Sequence, residues 1–148
     1  MNRRWWILGA LILALMFPTA AFPDADPKPM IPIGSPYDRG RQAVSEGQWE
    51  TASGLFQEAV EQNPRDHAAH NMLGYALRKA GRPQQALDAY NRALSLKPDY
   101  APALEYRGEA HLMLNNRKAA MEDYQALVKL NSPLAQDLKK KIDAAPAN

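Results

Sequence analysis

The chain is 148 residues long, 46% hydrophobic and 23% charged, a composition that suits one globular domain of ordinary size. Arg3 and Arg4 supply its net charge of +2 and the remainder from Phe22 onward is neutral, which argues against nucleic acid as a partner because phosphate binding needs a surplus of Lys and Arg on one face. The absence of cysteine excludes disulfides, thiolate metal sites and covalent haem attachment, and is compatible with an oxidising compartment.

Asn2-Arg3-Arg4 makes a short positive start. An apolar run from Trp5 to Phe17 follows, then Pro18 and the small residues Thr19-Ala20-Ala21. This layout predicts an export signal over residues 1–21, cleaved after Ala21. The run would span about 20 Å as a helix, short of the ~20 residues that cross a bilayer comfortably. Extended to Phe22 it still suits an uncleaved anchor, so the alternative stays open, with membrane contact through residues 5–22 only. In both cases Arg3 and Arg4 remain cytoplasmic and the rest is exported, which for a bacterial protein means the periplasm. Residues 22–34 contain Pro23, Pro27, Pro29 and Pro32, which prevent helix and predict an extended tether.

From residue 33 the sequence repeats with a step of 34. Gly40, Gly74 and Gly108 keep it, as do Ala52, Ala86 and Ala120, and the aromatic column Phe56, Tyr90 and Tyr124. Pro64 and Pro98 close the first two units, and Pro133 closes the third one residue late. Apolar and small residues at helical spacing predict paired helices at 36–46 and 50–62, 67–80 and 83–96, 101–114 and 117–130. The glycine and alanine columns are expected where paired helices pass close, and the aromatics where one unit meets the next. Gly47 and Gly81, with Asn115 as the third member, mark the turn within each unit, where a left-handed backbone ends the first helix. Ser35-Pro36 and Ser132-Pro133 each read as an N-cap followed by proline at the first helical position. A last helix, 133–144, carries a thin apolar stripe and a charged back.

A 34-residue step with small, aromatic and proline columns resembles the tetratricopeptide repeat family, and the second unit, with Leu73-Gly74, Ala86-x3-Tyr90, Ala93 and Pro98, matches its pattern best. The resemblance places units at 33–66, 67–100 and 101–134 within a domain at 35–145. It implies an all-α fold, a right-handed α-solenoid of three helix-turn-helix units capped by the C-terminal helix. Arg39 and Arg107 depart from the pattern, standing where Leu73 stands. Their stems are expected along the helix and their guanidinia in solvent. His111 likewise replaces a large apolar residue, so units one and three are expected to be less stable than unit two.

Enzyme chemistry finds little support. His67 and His70, with Asp66, could begin the metal site of a hydrolase, but no second cluster completes the shell, and a polar surface between units is the expected reading. His111 stands alone and is expected to be half-buried and hydrogen-bonded locally. No Ser or Thr nucleophile motif occurs, and the eight glycines stand singly, without a phosphate loop. Glu122-Asp123 is expected on an outward surface, Glu105/Glu109 in a binding role, and Lys139-Lys140-Lys141 on the solvated face of the last helix. No catalytic residue, metal or cofactor is expected.

The resemblance also implies a function. In this family the first helices of successive units line a concave surface that binds an extended peptide or a partner helix. Carried over by position, that surface presents Tyr37, Arg41 and Val44, then Asn71, Tyr75, Arg78 and Lys79, then Glu105, Glu109, Leu112 and Met113. Base in unit two and acid in unit three suggest a ligand of mixed charge. Chaperone adaptors that clamp a terminal carboxylate use Lys, Asn and Arg at positions held here by Tyr37, Arg41, Met72, Pro102 and Tyr106. Only Arg41 resembles that clamp in charge, so an adaptor of another kind is expected. The chain then reads as a non-catalytic scaffold with a protein or peptide partner, a monomer or weak oligomer serving assembly or maturation of an envelope complex. Self-assembly through unpaired end surfaces is the alternative.

Overall fold

The structure, a computed structural model, describes residues 34–146. The expected export signal or anchor, and the tether up to residue 33, lie outside the described residues. The described chain forms α1 (Pro36–Ser45), α2 (Trp49–Gln62), α3 (His67–Lys79), α4 (Pro83–Leu96), α5 (Ala101–Met113), α6 (Arg117–Lys129) and α7 (Leu134–Ala144). Among the described residues there is no strand, and no helix is long and apolar enough to cross a membrane.

Local chemistry accounts for the helix ends. Ser35 Oγ accepts from Asp38 N at 3.1 Å, and Asp66 Oδ1 accepts from Ala68 N and Ala69 N at 2.9 and 3.1 Å, so both act as N-caps. The turns within units run through Gly47, Gly81 and Asn115 at φ 71°, 77° and 58°. After each, the next N–H reaches back to a carbonyl five residues earlier: Gln48 to Ala43, Arg82 to Leu77, and Asn116 to His111. A fourth such turn, at Asn131 with φ 51°, ends α6. By contrast, α2 and α4 end in Asn63 and Lys97 at φ −135° and −143°. This extra left-handed residue explains why Pro133 falls one place late. It also shifts the cap: α7 begins at Leu134 rather than Pro133, and Ser132 Oγ accepts from Leu134 N at 3.3 Å.

Consecutive helices pack as antiparallel neighbours. In addition α3 meets α5, and α7 lies against both α5 and α6. The result is a helical solenoid whose core is the repeat columns. Ala52, Ala86 and Ala120 are fully buried, as are Phe56 and Tyr90. The close approach is literal at Gly40 and Gly74, where a Cβ would fall 2.8 Å from the Phe56 ring and 2.6 Å from the Tyr90 ring. Unit three differs. Tyr124 is only half-buried, and the seat above Gly108 is taken by Leu138 of α7, 2.6 Å from a Cβ built there. Leu138 and Ile142, both fully buried, thus do for the last unit what an aromatic does for the others.

Two further expectations change. The Arg107 guanidinium turns inward, donating to both carboxylate oxygens of Asp123 at 2.6 to 3.2 Å and to Asn91 Oδ1 at 2.8 Å. Asp123 is 2% exposed and so belongs to the interior, not to an outward surface. An arginine this close to a helix pair gains more from a bidentate carboxylate than from water. Arg39 stays nearer the expected behaviour, pairing with exposed Glu58 at 3.1 Å.

Candidate functional site: the inner helices α1, α3 and α5

The candidate residues lie on one stripe of each first helix. On α3, Asn71, Tyr75 and Arg78 are spaced i, i+4, i+7 and therefore share a face. That face meets α5 through aromatic packing. The Tyr75 and Tyr106 rings lie 5.2 Å apart, and Trp49, at the start of α2, meets Tyr75 edge to face at 6.1 Å. The Arg78 guanidinium sits 5.5 Å from both the Tyr75 and Tyr106 ring centres, and Lys79 Nζ sits 5.1 Å from the Trp49 ring centre. Three half-buried rings and two cations thus form one cluster.

At the α5 end the charges are already matched. Arg78 pairs with Glu109 at 2.7 Å. Lys141, from α7, donates to Glu105 at 2.8 Å and also to Glu109. Burial pulls the Lys141 pKa down, but its hydrogen bonds to the two carboxylates outweigh this and hold it above the usual lysine value. Lys141 is thus exposed, as expected for the lysine run, but is paired with two carboxylates of α5. Of the base-then-acid pattern of units two and three, Arg78, Glu105 and Glu109 are thus paired within the protein.

Position by position, the structure separates the candidates. Asn71 and Glu105 are 3% and 7% exposed and form the floor rather than a presented surface. Tyr37, Val44, Tyr75, Arg78, Glu109 and Leu112 are half-buried, while Arg41, Lys79 and Met113 are exposed. Among the described residues neither Arg41 nor Lys79 has a carboxylate within ion-pair distance. Burial, reinforced by Asp66, raises the Tyr37 pKa, and burial with Glu105 does the same for Tyr106, so both stay neutral phenols able to donate a hydrogen bond.

Three contributors escaped sequence reasoning. Trp49 has no counterpart in the other units, where Pro83 and Arg117 stand, so no column marked it. Tyr106 entered only as a clamp position. Lys141 lies 36 residues from Glu105, beyond any helical periodicity.

The histidines have local partners. Asp66 is committed to capping α3, His70 Nε2 lies 3.0 Å from Pro64 O, and the His67 ring packs edge to face on Tyr100 at 4.6 Å. Among the described residues no group of three or more His, Asp or Glu could hold a metal ion. His111 differs from expectation: its Nδ1 is buried without a hydrogen-bond partner.

Comparison with known proteins agrees with this architecture. The sequence matches the tetratricopeptide repeat profile over residues 37–101 and 76–135. It is 32% identical over 114 residues to the Hsp70-Hsp90 organizing protein of Triticum aestivum, covering 73% of this chain and 19% of that one. It is 29% identical over 105 residues to the Hsp70-Hsp90 organising protein of Plasmodium falciparum, covering 70% and 42%. The chain thus spans less than half the length of these relatives. Among solved structures, the first repeat domain of Spaghetti (RPAP3) bound to the HSP90 peptide SRMEEVD superimposes with a TM-score of 0.69 at 21% identity, covering 74% of this chain and 89% of that one. PcrH in complex with the chaperone-binding region of PopD gives 0.65 at 22% identity, covering 74% and 84%. A repeating helical hairpin with glycine under an aromatic ring, matched by profile over most of the chain, places this protein in the tetratricopeptide repeat family.

Proposed function

We propose that this protein is a non-catalytic adaptor of the bacterial cell envelope, exported by its N-terminal segment and holding a partner peptide or helix on the inner helices α1, α3 and α5. The observation that carries this reading is the row of Trp49, Tyr75 and Tyr106 rings with Lys79 on Trp49, together with exposed Arg41 on the corresponding stripe of α1; neither cation has a carboxylate partner among the described residues. Aromatic rings supply contact area at low entropic cost, and free cations supply orientation. The Hsp70-Hsp90 organizing proteins and the peptide-bound RPAP3 domain make a peptide ligand the natural expectation.

The ligand differs from theirs in how it is read. Tyr106, at a position where clamp-type adaptors place a cation, stacks instead on Tyr75 and Arg78. The partner is therefore expected to present apolar or aromatic side chains to the ring row and an acidic group toward Arg41 and Lys79. Membrane contact is confined to residues 5–22 if they are retained, and the exported part acts as a monomer or weak oligomer. α7 covers the apolar end of the stack, with Leu138 seated on Gly108.

Affinity capture from envelope extracts tests this, comparing the native chain with Arg41→Ala plus Lys79→Ala. Loss of about tenfold or more in recovery of the same partners is expected. Equal recovery of every partner would move the site off the inner helices.

A further inference from the structure

The acid end of the inner surface holds an arrangement that the repeat pattern does not supply. Two carboxylates one helical turn apart on α5, Glu105 and Glu109, face Arg78 from α3 and Lys141 from α7. Glu105 is 7% exposed. A carboxylate that buried gains strongly from a cation beside it. Arg78 does not supply it: its ion pair is with Glu109 and its plane is held against Tyr75 and Tyr106. Lys141 is the cation on Glu105, reached by a side chain that is itself 43% exposed.

The location of that lysine matters. It belongs to the C-terminal helix, which is anchored independently of the ion pair. Leu138 is seated on Gly108, Ile142 is fully buried, and Arg117 of α6 donates to the Ile142 and Ala145 carbonyls at the end of α7. The helix therefore delivers its ammonium to a fixed place whether or not a partner is bound. With Lys141 present, two acids meet two bases and this end is neutral. Without it, one negative charge is left over in a half-buried setting beside the ring row.

We propose that Lys141 sets the charge selectivity of the inner surface: as a built-in cation on Glu105 and Glu109 it stops the unit-three end from attracting basic ligands, and leaves Arg41 and Lys79 to select an acidic one. The inference rests on the inner helices being the binding surface, as proposed above. It deepens that reading by naming the residue that keeps basic peptides from the surface. A C-terminal helix used in this way is both an end cap and a specificity filter.

Selection of random eight-residue peptides on the immobilised full-length protein tests it, with the native chain, Lys141→Met, and Glu105→Gln plus Glu109→Gln compared. Methionine keeps the apolar stem of the lysine, and helix content by circular dichroism checks that each variant is folded. The native protein is expected to enrich Asp and Glu over Lys and Arg. Lys141→Met is expected to lower that ratio about tenfold, the effect of one half-buried charge pair. The double Gln variant, which frees Lys141, is expected to raise it. An unchanged ratio in folded Lys141→Met, with acidic peptides still bound, would overturn this inference and leave the adaptor reading standing. Failure of every variant to enrich any peptide would remove both.

Discussion

Leu138 rests on Gly108 in the seat that Phe56 holds on Gly40 and Tyr90 holds on Gly74. A residue of the C-terminal helix thus completes the third unit, so α7 is part of the core. Leu138→Ala is expected to cost about 3 kcal/mol, within the usual range for a buried leucine, whereas Tyr124→Ala is expected to cost much less than Tyr90→Ala because Tyr124 is half-buried. Urea unfolding of the three variants, at equal m-value, checks the order.

The Arg107–Asp123 pair offers a sharper test. Unit two carries Leu73 and Ala89 at the equivalent positions, both buried. Replacing Arg107 by Leu alone strands a carboxylate that is 2% exposed and is expected to cost about 3 kcal/mol. Arg107→Leu with Asp123→Ala restores the residue pair of unit two. The double variant is expected to be at least as stable as the native chain, because buried ion pairs seldom outweigh well-packed apolar replacements. Denaturant midpoints of the single and double variants decide it.

Glycine has opposite meanings at two helical positions. A Cβ at Gly74 would fall 2.6 Å from the fully buried Tyr90 ring, while one at Gly54 meets nothing within 4 Å. Gly74→Ala is therefore expected to destabilise by about 1 to 3 kcal/mol through overpacking. Gly54→Ala is expected to stabilise by about 1 kcal/mol through helix propensity. Thermal melts of the two proteins should move in opposite directions.

His111 links stability to pH. Burial lowers its pKa from 6.5, outweighing the nearby Asp123, which acts to raise it, while Arg107 adds to the lowering. The unfolded chain therefore takes up this proton before the folded one does. The stability held above about pH 6.5 falls as pH drops below that value and through the lower folded pKa. Asp123 has the opposite sign: burial raises its pKa against the pull of Arg107, so protonation favours the folded state, but only at more acidic pH. His111→Leu, the residue at Leu77 in unit two, is expected to flatten the stability profile between pH 7.5 and 5.5. An unchanged slope in that window would remove His111 as its cause.

The helices were legible because each unit repeats its columns: every boundary lies within one residue of the position expected from the period. Asn115 could be read as a turn because glycines stand at the same place in units one and two. Asn131 could not, having no such column. The site was legible only in part. Helical spacing shows which residues share a face, and so Tyr75 and Arg78 came out together. It does not show how deeply that face is covered by the next helix, which is why Asn71 and Glu105 turned out to be floor. Nor does it reveal pairings such as Lys141 with Glu105, or Arg107 with Asn91, which depend on the register of one helix against a distant one.

The central claim is that the partner lies on the inner helices. Site-specific photo-crosslinking in cells tests it most directly, with a photoreactive side chain placed in turn at Arg41, at Lys79, and at Arg92, an exposed residue lining the cleft beside α2 and α4. The account predicts crosslinks to a common partner from positions 41 and 79 and none to it from 92. A partner crosslinked from position 92 alone would contradict it.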